Sequence, residues 1–301
     1  MNAVETDATI GGLLGGSGLP RQEAELLLRA VLGCERSHLI AHAEDAIDAS
    51  KARSAQDGFA RRRAGEPIAY ITGWREFYGI RLCVTPDVLI PRHETELLVE
   101  LALERVAATS PARVLELGTG SGAIAIALSR ARPDLAIVAT DISEAALAVA
   151  RRNALDHGAA IEFLRSDWFE ALGPEHFDLI VSNSPYVAAS DAHLERGDVR
   201  FEPRLALVGG EDGLACIRTI AARAQSRLRP GGWLILEHGY DQKEPCVELL
   251  LGLGYVEVED FKDLAGLQRA CAGRWPGGDR RPCAAARVGG CLEAFRSEVL
   301  R

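Results

Sequence analysis

No stretch of this sequence approaches the roughly 18 consecutive apolar residues that a membrane-spanning helix requires. The amino-terminal stretch Met1–Asp7 also lacks a basic region followed by an apolar core, so no secretory leader is expected and a cytoplasmic location follows. Paired cysteines are missing too. The seven cysteines, at positions 34, 83, 216, 246, 271, 283 and 291, are odd in number, scattered and free of any C-x-x-C pair, which argues against a disulfide framework or a zinc site. Positive charge is scarce as well: 34 basic against 43 acidic residues leave a formal net charge of −9, which disfavours a nonspecific grip on nucleic acid. A protein partner fits that balance more easily. Internal repeats are absent, and 301 residues with 48% hydrophobic content suffice for one or two domains with a sizeable core.

What is present is concentrated at the ends of apolar runs. Phe177-Asp178-Leu179-Ile180-Val181 leads into Asn183-Ser184-Pro185-Tyr186. An Asn side-chain oxygen and the next backbone carbonyl can both accept hydrogen bonds from one NH2 group, Pro restrains the loop, and Tyr offers a flat face. That describes a pocket for a planar amide or amine, in which catalysis works by orientation more than by a strong base. Some sixty residues earlier, the strand pattern Arg113–Leu117 runs into Gly118-Thr119-Gly120-Ser121-Gly122 and then into the helical pattern from Ala123. Such a turn also serves dinucleotides. Here the spacing is G-x-G-x-G and Glu116 precedes it, a variant that resembles S-adenosylmethionine sites. The run Ala136–Thr140 ends in Asp141, placed to accept from ribose hydroxyls, and Ile161–Leu164 leads to Ser166-Asp167-Trp168-Phe169, where Asp167 could accept from an adenine amino group beside an apolar ring. Four strand tips thus carry polar candidates along one edge of a sheet, the edge at which open α/β sheets bind ligands.

The remaining organisation is coarser. Residues 8–66 show helical patterning, with helices expected over Pro20–Val31 and Lys51–Arg63. Pro67–Gly73 and Glu76–Val84 are rich in β-formers and are expected to be extended or hairpin segments. A helix is expected over Glu94–Ala107, and from Arg113 strands and helices alternate as in a doubly wound parallel sheet. Further helices are expected over Gly213–Leu228 and Gln242–Leu251, a strand over Trp233–Glu237, and a terminal strand pair over Tyr255–Val258 and Gln268–Ala272. Gly277–Arg301 breaks the pattern and is expected to be a poorly packed tail.

Several separate segments together resemble one family, the protein-glutamine N-methyltransferases that modify the Gly-Gly-Gln loop of class I peptide-chain release factors. They are Gly65–Gly73, Glu76–Gly79, Leu89–Arg92 with Glu94–Glu96, Glu116–Gly122, Ser166–Phe169, Asn183–Tyr186 and Phe201–Leu214, and the likeness extends from about residue 20 to 276. Two positions depart from the family pattern: Ser184 stands where a Pro is usual, and His93 likewise.

The resemblance implies a class I S-adenosylmethionine-dependent methyltransferase fold, Rossmann-like, with a mostly parallel seven-stranded sheet and a small N-terminal helical domain. The implied division is a substrate-docking domain over 1–73, a β-hairpin linker over 74–92, the methyltransferase domain over 93–276 and the tail over 277–301. It implies S-adenosyl-L-methionine as cofactor, a class I release factor as protein substrate, and neither stable nucleic-acid nor membrane binding. Asn183, Ser184, Pro185 and Tyr186 are the implied catalytic loop. Glu116, Gly118, Thr119, Gly120, Gly122, Asp141, Asp167, Trp168 and Asn183 are implied to bind the cofactor, with Tyr186 packed on the amide plane. The Arg61–Arg63 run reads either as a solvated helix face or as a docking patch for the protein substrate. His38 and His42 read as surface or packing residues rather than metal ligands. Three other functions remain open from sequence: glutamine methylation of a ribosomal protein, adenine-N6 methylation of nucleic acid, and cofactor binding without catalysis.

Overall fold

The computed structural model describes residues 8–106 and 111–278, so most of the expected tail lies outside the described residues. The chain divides into two compact units. One takes the described residues through Trp74 together with Glu195–Phe201; the other takes Arg75–Leu194 and the described residues from Glu202 onward.

The first unit is helical, with α1 (Ile10–Gly16), α2 (Arg21–Leu32), α3 (Arg36–Ala41), α4 (Ala49–Arg63) and α5 (Ile68–Thr72). Helix α2 begins after Pro20, which needs no N–H partner there, and ends at Gly33 in the left-handed conformation. Asp48 caps α4 by accepting from the backbone N–H groups of Ser50 and Lys51. Ala24, Leu27 and Leu28 of α2 pack with Ala52, Ala55 and Phe59 of α4, each larger apolar side chain contributing about 1.5–3 kcal/mol by burial.

Pro67–Gly73 is not extended as expected: Ile68–Thr72 forms a helical turn between Pro67 and Gly73, whose φ is 78°. Its isoleucines, three residues apart, face this helical core, and that packing outweighs the β-preference of branched side chains. The Arg61–Arg63 run is engaged within the unit. Arg61 pairs with Glu66, Arg62 with Glu23 and Asp198, and Arg63 donates to the Ser17 carbonyl.

The second unit opens with the hairpin β1 (Trp74–Phe77) and β2 (Ile80–Cys83), of which Trp74 alone is counted with the first unit. There follow α6 (Glu96–Arg105), β3 (Arg113–Leu117), α7 (Ala123–Ala131), β4 (Ala136–Asp141), α8 (Glu144–Asp156), β5 (Ile161–Arg165), β6 (Phe177–Ser182), α9 (Ala215–Ala224), β7 (Leu228–Glu237), α10 (Lys243–Gly252), β8 (Val256–Lys262) and β9 (Gln268–Arg274). The seven strands of the main sheet run in the order β5-β4-β3-β6-β7-β9-β8, with β3 through β7 parallel and the β9 and β8 pairings antiparallel.

Alternate side chains of each strand enter opposite cores. Val114, Ile137, Leu179, Val181 and Ile235 meet α6 and α7 on one face, and Leu115, Leu117, Val138, Ile180, Leu234 and Leu236 meet α9 and α10 on the other. The strand order reverses between β3 and β6, so the crevice at their carboxyl ends is where an open sheet of this kind offers a ligand site. Among the described residues no helix is long and apolar enough to cross a membrane.

Candidate active site

A cavity of about 860 Å³ opens at that edge, a volume within the usual range for cofactor sites. Its wall is made by loops leaving successive strands. Leaving β3, the backbone N–H groups of Gly118 and Thr119 both donate to the Thr140 carbonyl, each at 2.9 Å, which folds the chain back across β4. Gly122 then starts α7 with a φ of 84°, and a Cβ there would lie 3.0 Å from Ile126 and 3.3 Å from Ala150. Only glycine combines that conformation with that closeness. Buried Asn153 of α8 braces the turn from behind, donating to the Ser121 and Cys83 carbonyls and accepting from the Cys83 N–H.

Of the sequence candidates, Glu116, Gly118, Thr119, Gly120, Asp141, Asp167, Trp168, Asn183 and Pro185 line the cavity. Gly122, Ser184 and Tyr186 do not. Glu116 is almost fully enclosed, and its Oε2 accepts from Thr119 Oγ1 at 2.7 Å and from the Ala125 N–H at 3.0 Å. Asp141 accepts from the Gly120 N–H with one oxygen and from the Ser143 N–H with the other, both at 2.9 Å. A carboxylate has about four acceptor sites, so Asp141 retains capacity for hydroxyl donors. Trp168 sits at a φ of 51°, which is rare for a bulky side chain, with its ring edge 3.7 Å from the position of a Cβ on Gly118. Strain of this kind is commonest where a ligand site fixes the backbone.

Asn183 leaves β6 half-buried. Its Nδ2 donates to Thr95 Oγ1 at 3.0 Å, and its Oδ1 accepts no hydrogen bond among the described residues. Tyr186 is absent from the lining: its hydroxyl donates to Glu237 Oε1 at 3.2 Å and its carbonyl accepts from Gln242 Nε2 at 3.0 Å. His93 also stands off the lining, exposed and paired with Glu96.

Residues 93–198 match the family described as Methyltransferase small domain, and residues 13–73 match the PrmC N-terminal domain. A release factor glutamine methyltransferase of Burkholderia pseudomallei is 50% identical over 277 residues, spanning 90% of this chain and 97% of that protein. One from Bordetella pertussis is 50% identical over 262 residues, spanning 87% and 97%. This chain belongs to the release factor glutamine methyltransferase family. It is therefore an S-adenosylmethionine-dependent methyltransferase, as the sequence reading anticipated. Among solved structures, a methyltransferase from Pyrococcus furiosus shares the fold at a TM-score of 0.51 and 21% identity, over 73% of this chain and 98% of that one.

The cavity suits the family's cofactor. S-adenosylmethionine carries ribose hydroxyls, a flat purine and a cationic sulfonium and ammonium. The wall offers Asp141 with spare acceptor capacity, the Trp168 ring and three carboxyl groups, those of Glu116, Asp141 and Asp167.

Burial pushes the Glu116 carboxyl from 4.5 up to about 8 and that of Glu237 up to about 7. Both folded-state values lie above the unfolded one, so their contribution to stability is fully present below about pH 4.5 and is lost as pH rises through 7 to 8. The cofactor-free protein should therefore lose unfolding free energy between pH 5 and 8. Glu116→Gln should shrink that loss by about 3 kcal/mol in urea titrations. An unchanged pH dependence would show that Glu116 is already ionised in the fold.

Ser184 poses a second stability question. It is fully buried and its Oγ has no hydrogen-bond partner among the described residues. An unpaired buried hydroxyl costs roughly 1–3 kcal/mol, so Ser184→Ala should raise the unfolding free energy by about 1 kcal/mol. A loss of stability would mean that the hydroxyl is satisfied in solution.

Sequence reading passed over two residues of this site, Thr95 and Glu237. Thr95 lies within the family-like Glu94–Glu96 segment and has no pattern of its own. Glu237 carried a readable signal, because it ends β7 as Asp141 ends β4, a polar residue at the carboxyl tip of a parallel strand.

Proposed function

We propose that this enzyme methylates the side-chain amide nitrogen of the glutamine in the Gly-Gly-Gln motif of class I peptide-chain release factors. The observation that carries the reading is the Asn183 amide, whose Nδ2 is held by Thr95 while Oδ1 is left without a donor at a residue that lines the cavity. A glutamine amide is a weak nucleophile because its lone pair is delocalised into the carbonyl. Asn183 Oδ1 accepts from its NH2, holds the nitrogen in place, and stabilises the positive charge that develops on it; the second acceptor assigned by the family resemblance is the Ser184 carbonyl, on a residue that stands off the cavity lining. Bound S-adenosylmethionine supplies the electrophilic methyl group. No strong base is required, since the methylated nitrogen becomes acidic and releases its proton to solvent.

The roles assigned on the cofactor side are these. Asp141 takes the ribose, Asp167 and Trp168 frame the adenine, Glu116 faces the methionine part, and Gly118, Thr119 and Gly120 form the floor, with Gly122 shaping the turn from outside the lining. The helical domain over residues 1–73 is assigned the docking of the protein substrate, a reading supported by the match over residues 13–73.

The acceptor class is tested by incubating the protein with methyl-labelled donor and three acceptors in parallel: unmodified release factor, ribosomal proteins and an adenine-containing oligonucleotide. Label confined to the release factor is expected. Label on either alternative, or on none of the three, would overturn the reading.

A further inference from the structure

At the cavity wall, which Thr95 and Asn183 line and Glu237 and Tyr186 do not, three elements converge on one buried chain of hydrogen bonds. Glu237, at the tip of β7, is 1% exposed; its Oε2 accepts from Thr95 Oγ1 at 2.7 Å and its Oε1 from the Tyr186 hydroxyl at 3.2 Å. Thr95, just before α6, is also buried, and it has a single hydroxyl proton. An ionised Glu237 can only accept, so that proton is committed to it, the Thr95 oxygen in turn can only accept, and what faces it is Asn183 Nδ2 at 3.0 Å.

The direction of each bond then dictates the next. Turning the Asn183 amide over would set its oxygen against the lone pairs of Thr95, while its NH2 would point towards the cavity, where it would meet the NH2 of an incoming amide donor to donor. In an isolated Asn the two orientations are nearly equivalent in shape. Here the carboxyl at the far end of the chain distinguishes them.

We propose that Glu237 and Thr95 are positioning residues that fix the orientation of the Asn183 amide, so that Oδ1 is presented to the methyl acceptor. The inference rests on the functional reading above and names two residues through which it works. Neither residue needs to touch the acceptor. Tyr186 belongs to the same assembly as a second donor to Glu237, which ties the end of the Asn183–Tyr186 loop to the strand that carries the carboxyl.

Thr95→Val keeps the side-chain shape and removes the hydroxyl, whereas Thr95→Ser keeps the hydroxyl. With release factor as acceptor, Thr95→Val should lower kcat by roughly 10- to 100-fold, the scale of one lost or reversed buried hydrogen bond. KM for the release factor and affinity for the donor should stay within about 3-fold, and Thr95→Ser should restore kcat to within about 3-fold of wild type. Glu237→Met removes the acceptor from the end of the chain. Combined with Thr95→Val, it should lower kcat no further than the worse single change, because both act through one amide.

A second readout does not depend on turnover. The side-chain NH2 signal of Asn183 in a 15N–1H spectrum, assigned by its disappearance in Asn183→Ala, should shift in Thr95→Val and keep its wild-type position in Thr95→Ser. If wild type fails to methylate the release factor, the functional reading fails, and this signal still decides the orientation. Equal kcat in Thr95→Val and wild type, equal losses in the Val and Ser variants, multiplicative losses in the double variant, or an Asn183 signal indifferent to Thr95 would each overturn the proposal.

Discussion

Asn183→Ala is expected to cut methyl transfer by at least ~100-fold while leaving donor affinity within a few-fold, the scale of removing one polar group aimed at the reacting centre. The asymmetry follows from where Asn183 stands. Its polar end meets Thr95 and the cavity, and it takes no part in the turn that joins β3, Asp141 and the start of α7. Alanine removes the acceptor and leaves the β6 tip in place, since the strand is held by its ladders to β3 and β7. The measurement is single-turnover transfer at saturating donor, with donor affinity taken from calorimetry. Parallel losses of rate and affinity would contradict the assignment and move Asn183 to the cofactor side of the cavity.

Asp141→Ala should do the reverse, weakening donor binding by roughly 10- to 100-fold, as expected for losing hydrogen bonds to a charged acceptor. Two effects add here. The carboxylate is assigned the ribose hydroxyls, and it already receives the Gly120 and Ser143 N–H groups, so its removal also releases the Gly-rich turn. Asp141→Asn, which keeps one acceptor oxygen, should fall between wild type and alanine. At saturating donor, transfer by Asp141→Ala should recover to within a few-fold of wild type. Unchanged affinity would remove Asp141 from the cofactor site.

The parts of this molecule that were legible in its sequence are those governed by short-range rules. The strands from Arg113 to Glu237 announce themselves as apolar runs with turn residues at their ends, and doubly wound folds place ligands at those ends, so Asp141 and Asn183 could be picked out by position alone. Gly33 and Pro20 bounded α2 for reasons local to the backbone. Pro67–Gly73 was misread because its branched side chains favour strands in isolation, whereas the core beneath them accepts a helical turn.

Thr95 was missed for a different reason. Its importance comes from Glu237, 142 residues away in sequence and 2.7 Å away in the fold. No spacing rule links two such positions. The Arg61–Arg63 run illustrates the same point. Its sequence reads either as a solvated helix face or as a docking patch, and nothing in it shows that Arg62 is shared between Glu23 and Asp198, partners that only the fold brings to it.

The most direct test of the central claim is to locate the methyl group. The purified protein is incubated with methyl-labelled S-adenosylmethionine and intact release factor, beside a variant with Ala in place of the glutamine of the Gly-Gly-Gln motif, and the products are mapped by peptide mass analysis. One methyl group on that glutamine side chain, and none on the variant, is the predicted result. Label that persists on the variant, or that maps to another residue, would contradict it.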